Sequence, residues 1–158
     1  MNIRRIESCD GDAYRSILED TSDEDRYCRF FHAVDHFDPA FIEESVGRTD
    51  AIGFIAFEGD VPLGTVHAIP IDGGTAELAI IVARRGRRRG IARSLMFRAI
   101  AEARAHGFNE LIGYAMRLNV PFGALARSMG MKPDSMSDGS TVTWRLPLQA
   151  TLSSGVAR

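Results

Sequence analysis

Apolar residues alternate with polar ones over residues 2–6, which predicts a short first strand. Asp10-Gly11-Asp12 then supplies helix-start chemistry, and Tyr14, Ile17 and Leu18 follow at helical spacing. Thr21-Ser22-Asp23-Glu24 reads as a second cap, and the helix behind it carries Tyr27, Phe30 and Phe31 on one side. His36-Phe37-Asp38-Pro39 breaks that helix, and Phe41, Ile42 and Val46 predict another helical turn. From residue 51 the period drops to that of strands. Residues 51–57 and 61–69 read as a hairpin around Glu58-Gly59-Asp60, and Asp72-Gly73-Gly74 turns the chain into a third strand over 75–82.

A longer helix is predicted over residues 90–106, with Ile91, Leu95, Ala99 and Ala103 as its apolar stripe, widened by Met96 and Ile100, and Gly107 as its stop. Residues 110–116 form the next strand. Asn119 caps a helix that has Pro121 near its start and ends at Gly130, and residues 141–146 are a final strand. The order β, α, α, β, β, β, α, β, α, β places antiparallel hairpins before a βαβ unit. This is an α+β (mixed α/β) fold, a mostly antiparallel mixed sheet flanked by helices. No internal repeat or linker interrupts residues 1–148, which read as one domain. The small, polar stretch 149–158 reads as a frayed tail.

Composition narrows the function classes. At 158 residues the chain can bury one substantial core, and a net charge of -2 argues against a bulk nucleic-acid binder. No apolar run approaches the roughly 20 residues that span a bilayer, and the N-terminus lacks a signal-peptide core. Cys9 and Cys28 sit in no metal or redox motif, so free thiols in a cytoplasmic protein are expected, with no metal.

The positive charge is concentrated at one place. Five arginines occupy the six positions 84–89, between an apolar strand and a helix that opens on Gly90 and Ala92. A helix N-terminus offers unpaired N–H groups and the positive end of the dipole, and small residues let a phosphate approach. The segment therefore suits a polyanion, best a diphosphate. Gly86-x-x-x-Gly90 is not the dinucleotide fingerprint, and no G-K-[ST] opens the helix, so neither NAD nor ATP is indicated.

Arg87-x-x-Gly90-x-Ala92 resembles the acyl-CoA signature Q/R-x-x-G-x-G/A of the GNAT superfamily of N-acetyltransferases. The spacing to Asn119, the segment Met129-Gly130-Met131 and the element order resemble that family too, over nearly the whole chain. Residues 21–34, with Arg26-Tyr27-Cys28-Arg29-Phe30-Phe31, look like the start of GNAT domains in bacterial protein-lysine acetyltransferases. The resemblance implies acetyl-CoA, or another acyl-CoA, as donor. The amides of residues 88–92 (Arg88, Arg89, Gly90, Ile91, Ala92) would hold its pyrophosphate beside Arg87. The strand edge at Ile80, Ile81 and Val82 would pair with the pantetheine arm, and Asn119 would contact the cofactor or act as a plain N-cap. Arg84, Arg85 and Arg88 read as largely solvated.

Transfer to an amine requires a base, because a lysine ammonium has a pKa near 10.4. Glu77 is the candidate: alternation puts it on one face with Ala79 and Ile81, opposite Leu78, Ile80 and Val82. The resemblance implies the same role, since a glutamate in a matching A-E-x-A context serves as general base in the protein-lysine subgroup. A bulge common in the family would change the parity downstream. Backbone N–H groups near residues 80–82 would stabilise the oxyanion. Many relatives carry a thiolate-protonating tyrosine where this chain has Ala126; Tyr114 is a weak substitute. His67 reads as a structural histidine, and Phe30, Phe31, Phe37 and Phe41 as core or as a wall of the acceptor side.

The expected activity is N-acyl transfer to a primary amine, in a small molecule or a protein lysine. The alternative is a non-catalytic acyl-CoA-binding module of the same fold. Nucleic acid and membrane are not expected partners, and the final strand could pair across a homodimer.

Overall fold

A computed structural model describes residues 1–134 and 139–149. Four helical and strand elements precede the long hairpins: β1 (Asn2–Arg5), α1 (Gly11–Glu19), α2 (Asp23–Phe30) and α3 (Pro39–Gly47). They are followed by β2 (Ile52–Glu58), β3 (Val61–Asp72), β4 (Thr75–Val82), α4 (Ile91–Ala105), β5 (Glu110–Met116), α5 (Val120–Ser128), β6 (Lys132–Pro133) and β7 (Thr141–Pro147). Short 3-10 turns cover Ser8–Asp10 and Arg84–Gly86.

The strands form one sheet in the order β1-β2-β3-β4-β5-β7-β6. Every neighbouring pair is antiparallel except β4 and β5, which are joined by α4 and run parallel. That exception follows from the connection, because a helical crossover returns the chain to the same end of the sheet. The predicted α+β fold is the observed one. The turn expected around Phe41 is a full nine-residue helix, since Asp38 caps it by accepting from the Ala40 amide at 2.8 Å and Pro39 starts it.

Each face of the sheet buries its own core. On one side Ile91, Leu95, Met96, Ala99, Ile100 and Ala103 of α4 pack on Phe54, Val66, Ala68 and Leu78, with Trp144 and Met131 extending the cluster. All six α4 residues are buried, as the 3.6-residue stripe requires. On the other side Tyr14, Ile17 and Leu18 of α1 and Ile42 and Val46 of α3 pack on Ile55, Ile81 and Ala83. Phe30, Phe37 and Phe41 join this core as a ring cluster with centroids 5.8–6.4 Å apart, while Phe31 is exposed. The four phenylalanines therefore divide, three into the core and one onto the surface.

On the outer edge of β7, Lys132 and Pro133 pair with Arg145 and Trp144, and the Asp134 amide donates to the Thr143 carbonyl at 2.7 Å. The covering strand meets β7 only around residues 143–145. At the C-terminal end, the Gln149 side chain donates to the Phe108 carbonyl at 2.6 Å; the remainder of the tail read as frayed, 150–158, lies outside the described residues.

Candidate active site

The parallel ladder between β4 and β5 is short. Thr75, Ala76 and Glu77 pair with Glu110, Leu111 and Ile112, and no pairing follows. Beyond Glu77 the two strands part, which leaves a wedge whose β4 wall is Leu78–Val82. Ala83 donates its N–H to the Leu63 carbonyl at 2.9 Å, so Ala83 faces β3. The β3–β4 register is unbroken from Gly64↔Val82 to Pro70↔Ala76, and alternation then fixes the rest. Ile80 and Val82 direct their backbone N–H and C=O groups into the wedge, as does the Leu78 carbonyl; the Leu78 N–H closes the last rung of the ladder, on Ile112. Ile81 directs its own toward β3 and buries its side chain in the α1–α3 core, so of the three residues expected along the pantetheine arm it takes the least direct part.

At the top of the wedge the chain enters the arginine turn and then α4. Gly90 is left-handed at φ 73° and Ile91 begins the helix. The first N–H with an acceptor is that of Ser94, which donates to the Gly90 carbonyl at 3.0 Å. Among the described residues, the amides from Arg88 to Arg93 have no acceptor in the chain. Six adjacent unpaired donors, with the dipole of a fifteen-residue helix behind them, lie at the mouth of an open strand edge, an arrangement whose chemistry suits an anion.

The arginines around these amides are mostly braces. Arg85, expected to be solvated, is instead fastened by Nε to the Pro62 carbonyl at 2.8 Å, by one terminal nitrogen to Asp20 at 3.1 Å and by the other to the Ser16 hydroxyl at 2.9 Å. The backbone N–H groups of Arg84 and Arg85 also reach Asp20. Arg87 pairs with Asp25 at the start of α2, and Arg89 with Glu58 at the end of β2. Burial by itself would raise the Asp25 carboxyl, but hydrogen bonds from Arg87 and Ser22 hold it below the usual carboxylate range. The turn is thus held from α1, α2, β2 and β3 before any ligand arrives. Arg84 and Arg88 carry no ion pair among the described residues.

Gly86, inside this turn, is a residue that sequence reasoning passed over as a failed phosphate motif. It is buried, and a Cβ there would lie 2.8 Å from the Leu63 carbonyl oxygen and 3.1 Å from Val82. Its missing side chain lets the turn sit directly on β3.

Glu77 stands where the strands separate, half-buried, opposite Ile69 on β3 and Ile112 on β5. It shares the face of Ala79 and Ile81, as strict alternation expects, and no bulge intervenes between residues 76 and 82. Tyr114 lies two residues beyond Ile112 on that same face and is exposed. Ala126 is fully buried in the α4-side core and brings no group to the wedge. Asn119 is committed as the α5 N-cap, its side-chain oxygen accepting from the Phe122 amide at 3.2 Å.

A cavity of about 120 Å³ opens on the Glu77 face, one strand away. Its wall includes Tyr14, Arg29, Glu44, His67 and Ile69, the last of which is Glu77's ladder partner. His67 is buried, meets the Ser45 carbonyl through Nε2 at 3.2 Å and lies edge-on to Tyr14 at 5.9 Å. Burial, helped by the charge of Arg29, lowers its pKa to about 4, so it is a neutral wall residue at pH 7. Among the described residues, no cluster of His, Cys, Asp and Glu is placed to hold a metal ion, and no helix is long and apolar enough to cross a membrane.

The fold that carries this arrangement is shared with known proteins. The chain is similar in structure to the GNAT domain of S. lividans PAT, at 23% identity over 92% of this chain and 89% of that one, with a TM-score of 0.87. It is similar to a ribosomal-protein-alanine N-acetyltransferase from Brucella melitensis, at 22% identity over 94% and 100% of the two chains, TM-score 0.77. It is also similar to yncA, a putative acetyltransferase from Salmonella typhimurium solved with its cofactor acetyl-CoA, at 19% identity over 99% of each chain, TM-score 0.74. No curated protein matches the sequence significantly. The family model described as Acetyltransferase (GNAT) family matches residues 14–131, a span that includes the wedge, the arginine turn and Glu77; the chain belongs to the GNAT family of acetyltransferases.

Proposed function

We propose that this protein transfers an acetyl group from acetyl-CoA to a primary amine, with Glu77 as the general base. The observation that carries the reading is the position of Glu77 at the point where β4 leaves β5, on the face away from α4. The six unpaired amides Arg88–Arg93 fit a pyrophosphate, and the Leu78 carbonyl with the outward N–H and C=O groups of Ile80 and Val82 fits an extended amide chain as an added strand. Acetyl-CoA, when bound, supplies the activated acyl carbon and a thiol leaving group.

The chain's own part is to strip and position the amine. Glu77 takes the ammonium proton, directly or through a water; the free amine adds to the thioester carbonyl, and as the adduct collapses the C–S bond breaks and the nitrogen's second proton passes through water to the departing thiolate. Wedge-facing N–H groups of β4 donate to the oxygen on which charge develops, where each such donor is worth roughly 3 kcal/mol. A thiol near pKa 8.5 leaves without a dedicated acid, so a buried Ala126 is compatible with turnover. The resemblance of residues 21–34 to protein-lysine acetyltransferases supports a lysine as acceptor, and the free thiols Cys9 and Cys28 support a cytoplasmic setting. In the rival reading, a module that binds acyl-CoA without catalysis, Glu77 has no task.

Steady-state kinetics of Glu77→Gln test the proposal. The account expects kcat to fall on the order of 10²–10⁴-fold with the acetyl-CoA dissociation constant nearly unchanged. A kcat within a factor of two of wild type removes Glu77 from the mechanism.

A further inference from the structure

The cavity beside Glu77 is assembled from four elements and is chemically asymmetric. Arg29 of α2 lies on its wall, half-buried, with its guanidinium 4.8 Å from the Phe30 ring centre and no carboxylate partner among the described residues. The second arginine there, Arg48, is already engaged by both oxygens of Asp50, at 3.1 and 2.8 Å. Glu44, on the same wall, is exposed and has no ion pair among the described residues. The rest is Tyr14, Phe41, Ser45, His67 and Ile69, which gives body to the site but no further charge at pH 7.

A guanidinium at the edge of a partly apolar wall, stacked on a ring and without an ion pair, is placed to meet an incoming anion. Arg29 is only half-buried and stacks on Phe30, but its guanidinium holds no ion pair among the described residues, and a planar guanidinium is the group best shaped to receive a carboxylate. Glu44 provides the opposite sign at the same cavity, which suits a zwitterion better than a plain anion. The cavity has room for several waters, and so for a small polar head group. Because Ile69 lines it and pairs directly with Glu77 on the neighbouring strand, about 4.8 Å away, the cavity opens on the same face of the sheet as the base.

We infer that the amine acceptor also carries a carboxylate, which Arg29 receives while the amine sits at Glu77. This rests on the acetyl-transfer reading and narrows its acceptor. The carboxylate has two sources: the head of a free diamino acid, with its α-ammonium toward Glu44, or an acidic residue next to a lysine in a polypeptide. Polyamines, which offer only positive charge, are poor acceptors on this reading.

The test compares matched amines: L-lysine against cadaverine, L-ornithine against putrescine, and lysine peptides with glutamate or glutamine beside the lysine. Wild-type kcat/KM is expected to favour the carboxylate-bearing member of at least one pair by tenfold or more. In Arg29→Gln that preference should fall to near one, while KM for acetyl-CoA and the thermal midpoint stay close to wild type. Arg29→Lys should restore part of the preference. Preference in the free amino acids identifies the first source, and preference only in the peptides identifies the second. A ratio near one in every pair, a preference untouched by Arg29→Gln, or no acetylation of any carboxylate-bearing member overturns the inference. If Glu77→Gln abolishes transfer while the ratios stay near one, the carboxylate inference falls and the base assignment stands; full activity in Glu77→Gln with an Arg29-dependent preference does the reverse.

Discussion

Replacing His67 with glutamine removes a titratable ring from the boundary between the sheet and the α1–α3 layer. The substitution retains an N–H donor for the Ser45 carbonyl, which the ring now meets at 3.2 Å. In the folded chain the imidazole titrates at about 4 instead of 6.5, because burial penalises the cation and the nearby charges of Arg29 and Arg48 oppose it. A lowered folded pKa means that the unfolded chain binds the proton first. Between pH 6.5 and 4 the unfolded state therefore gains stability relative to the native state; above pH 6.5 the effect is absent. The full shift corresponds to roughly 3 kcal/mol, and about 2.5 kcal/mol of it is expressed between pH 7.5 and 4.5.

Urea unfolding of wild type and His67→Gln at those two pH values measures it. At pH 7.5 the variant should be the less stable, since it loses the edge contact with Tyr14. At pH 4.5 the gap should narrow by about 2.5 kcal/mol or change sign. Asp10 and Asp25, whose pKa values are lowered by Arg4 and Arg87 respectively, lose their contributions further into acid, but both proteins share them and the difference cancels. Parallel stability curves from pH 7.5 to 4.5 would refute the claim that His67 is held neutral by burial.

Two more outcomes follow from the arginine turn. Gly86→Ala puts a methyl group 2.8 Å from a backbone oxygen of β3, so stability should drop by about 1–3 kcal/mol and KM for acetyl-CoA should rise; Gly47→Ala, with nothing within 4 Å, should be neutral or stabilising in the same thermal melt. Arg88 is a non-glycine residue at φ 59°, so Arg88→Gly should melt higher than Arg88→Ala by about 1 kcal/mol of stability. Both remove the same charge, and isothermal titration with acetyl-CoA should show matching losses of affinity if the side chain meets a phosphate.

Much of this architecture was legible because its signals are local. The two-residue period placed β4 at Thr75–Val82 and β5 at Glu110–Met116 as observed, and the α4 stripe identified its six buried residues. The face of Glu77 could also be read, because β4 carries no bulge to change its parity. What stayed hidden depends on partners distant in sequence. Arg85 is a brace only because Asp20, sixty-five positions away, accepts from it. The wedge exists because β4 and β5 stop pairing after Glu77, and no pattern within either strand announces that. β6 is two residues long and has no period to detect, and the cavity draws Tyr14, Arg29, Glu44 and His67 from four separate elements.

The central claim is that the donor lies in the β4–β5 wedge with its reactive end at Glu77. A crystal structure of the protein with acetyl-CoA tests it most directly. The account predicts the pyrophosphate on the amides at the start of α4, the pantetheine arm hydrogen-bonded to the outward groups of Leu78, Ile80 and Val82, and the thioester beside Glu77 and Ala79. Density for acetyl-CoA away from the wedge, or a thioester on the α4 side of the sheet and out of reach of Glu77, would contradict it.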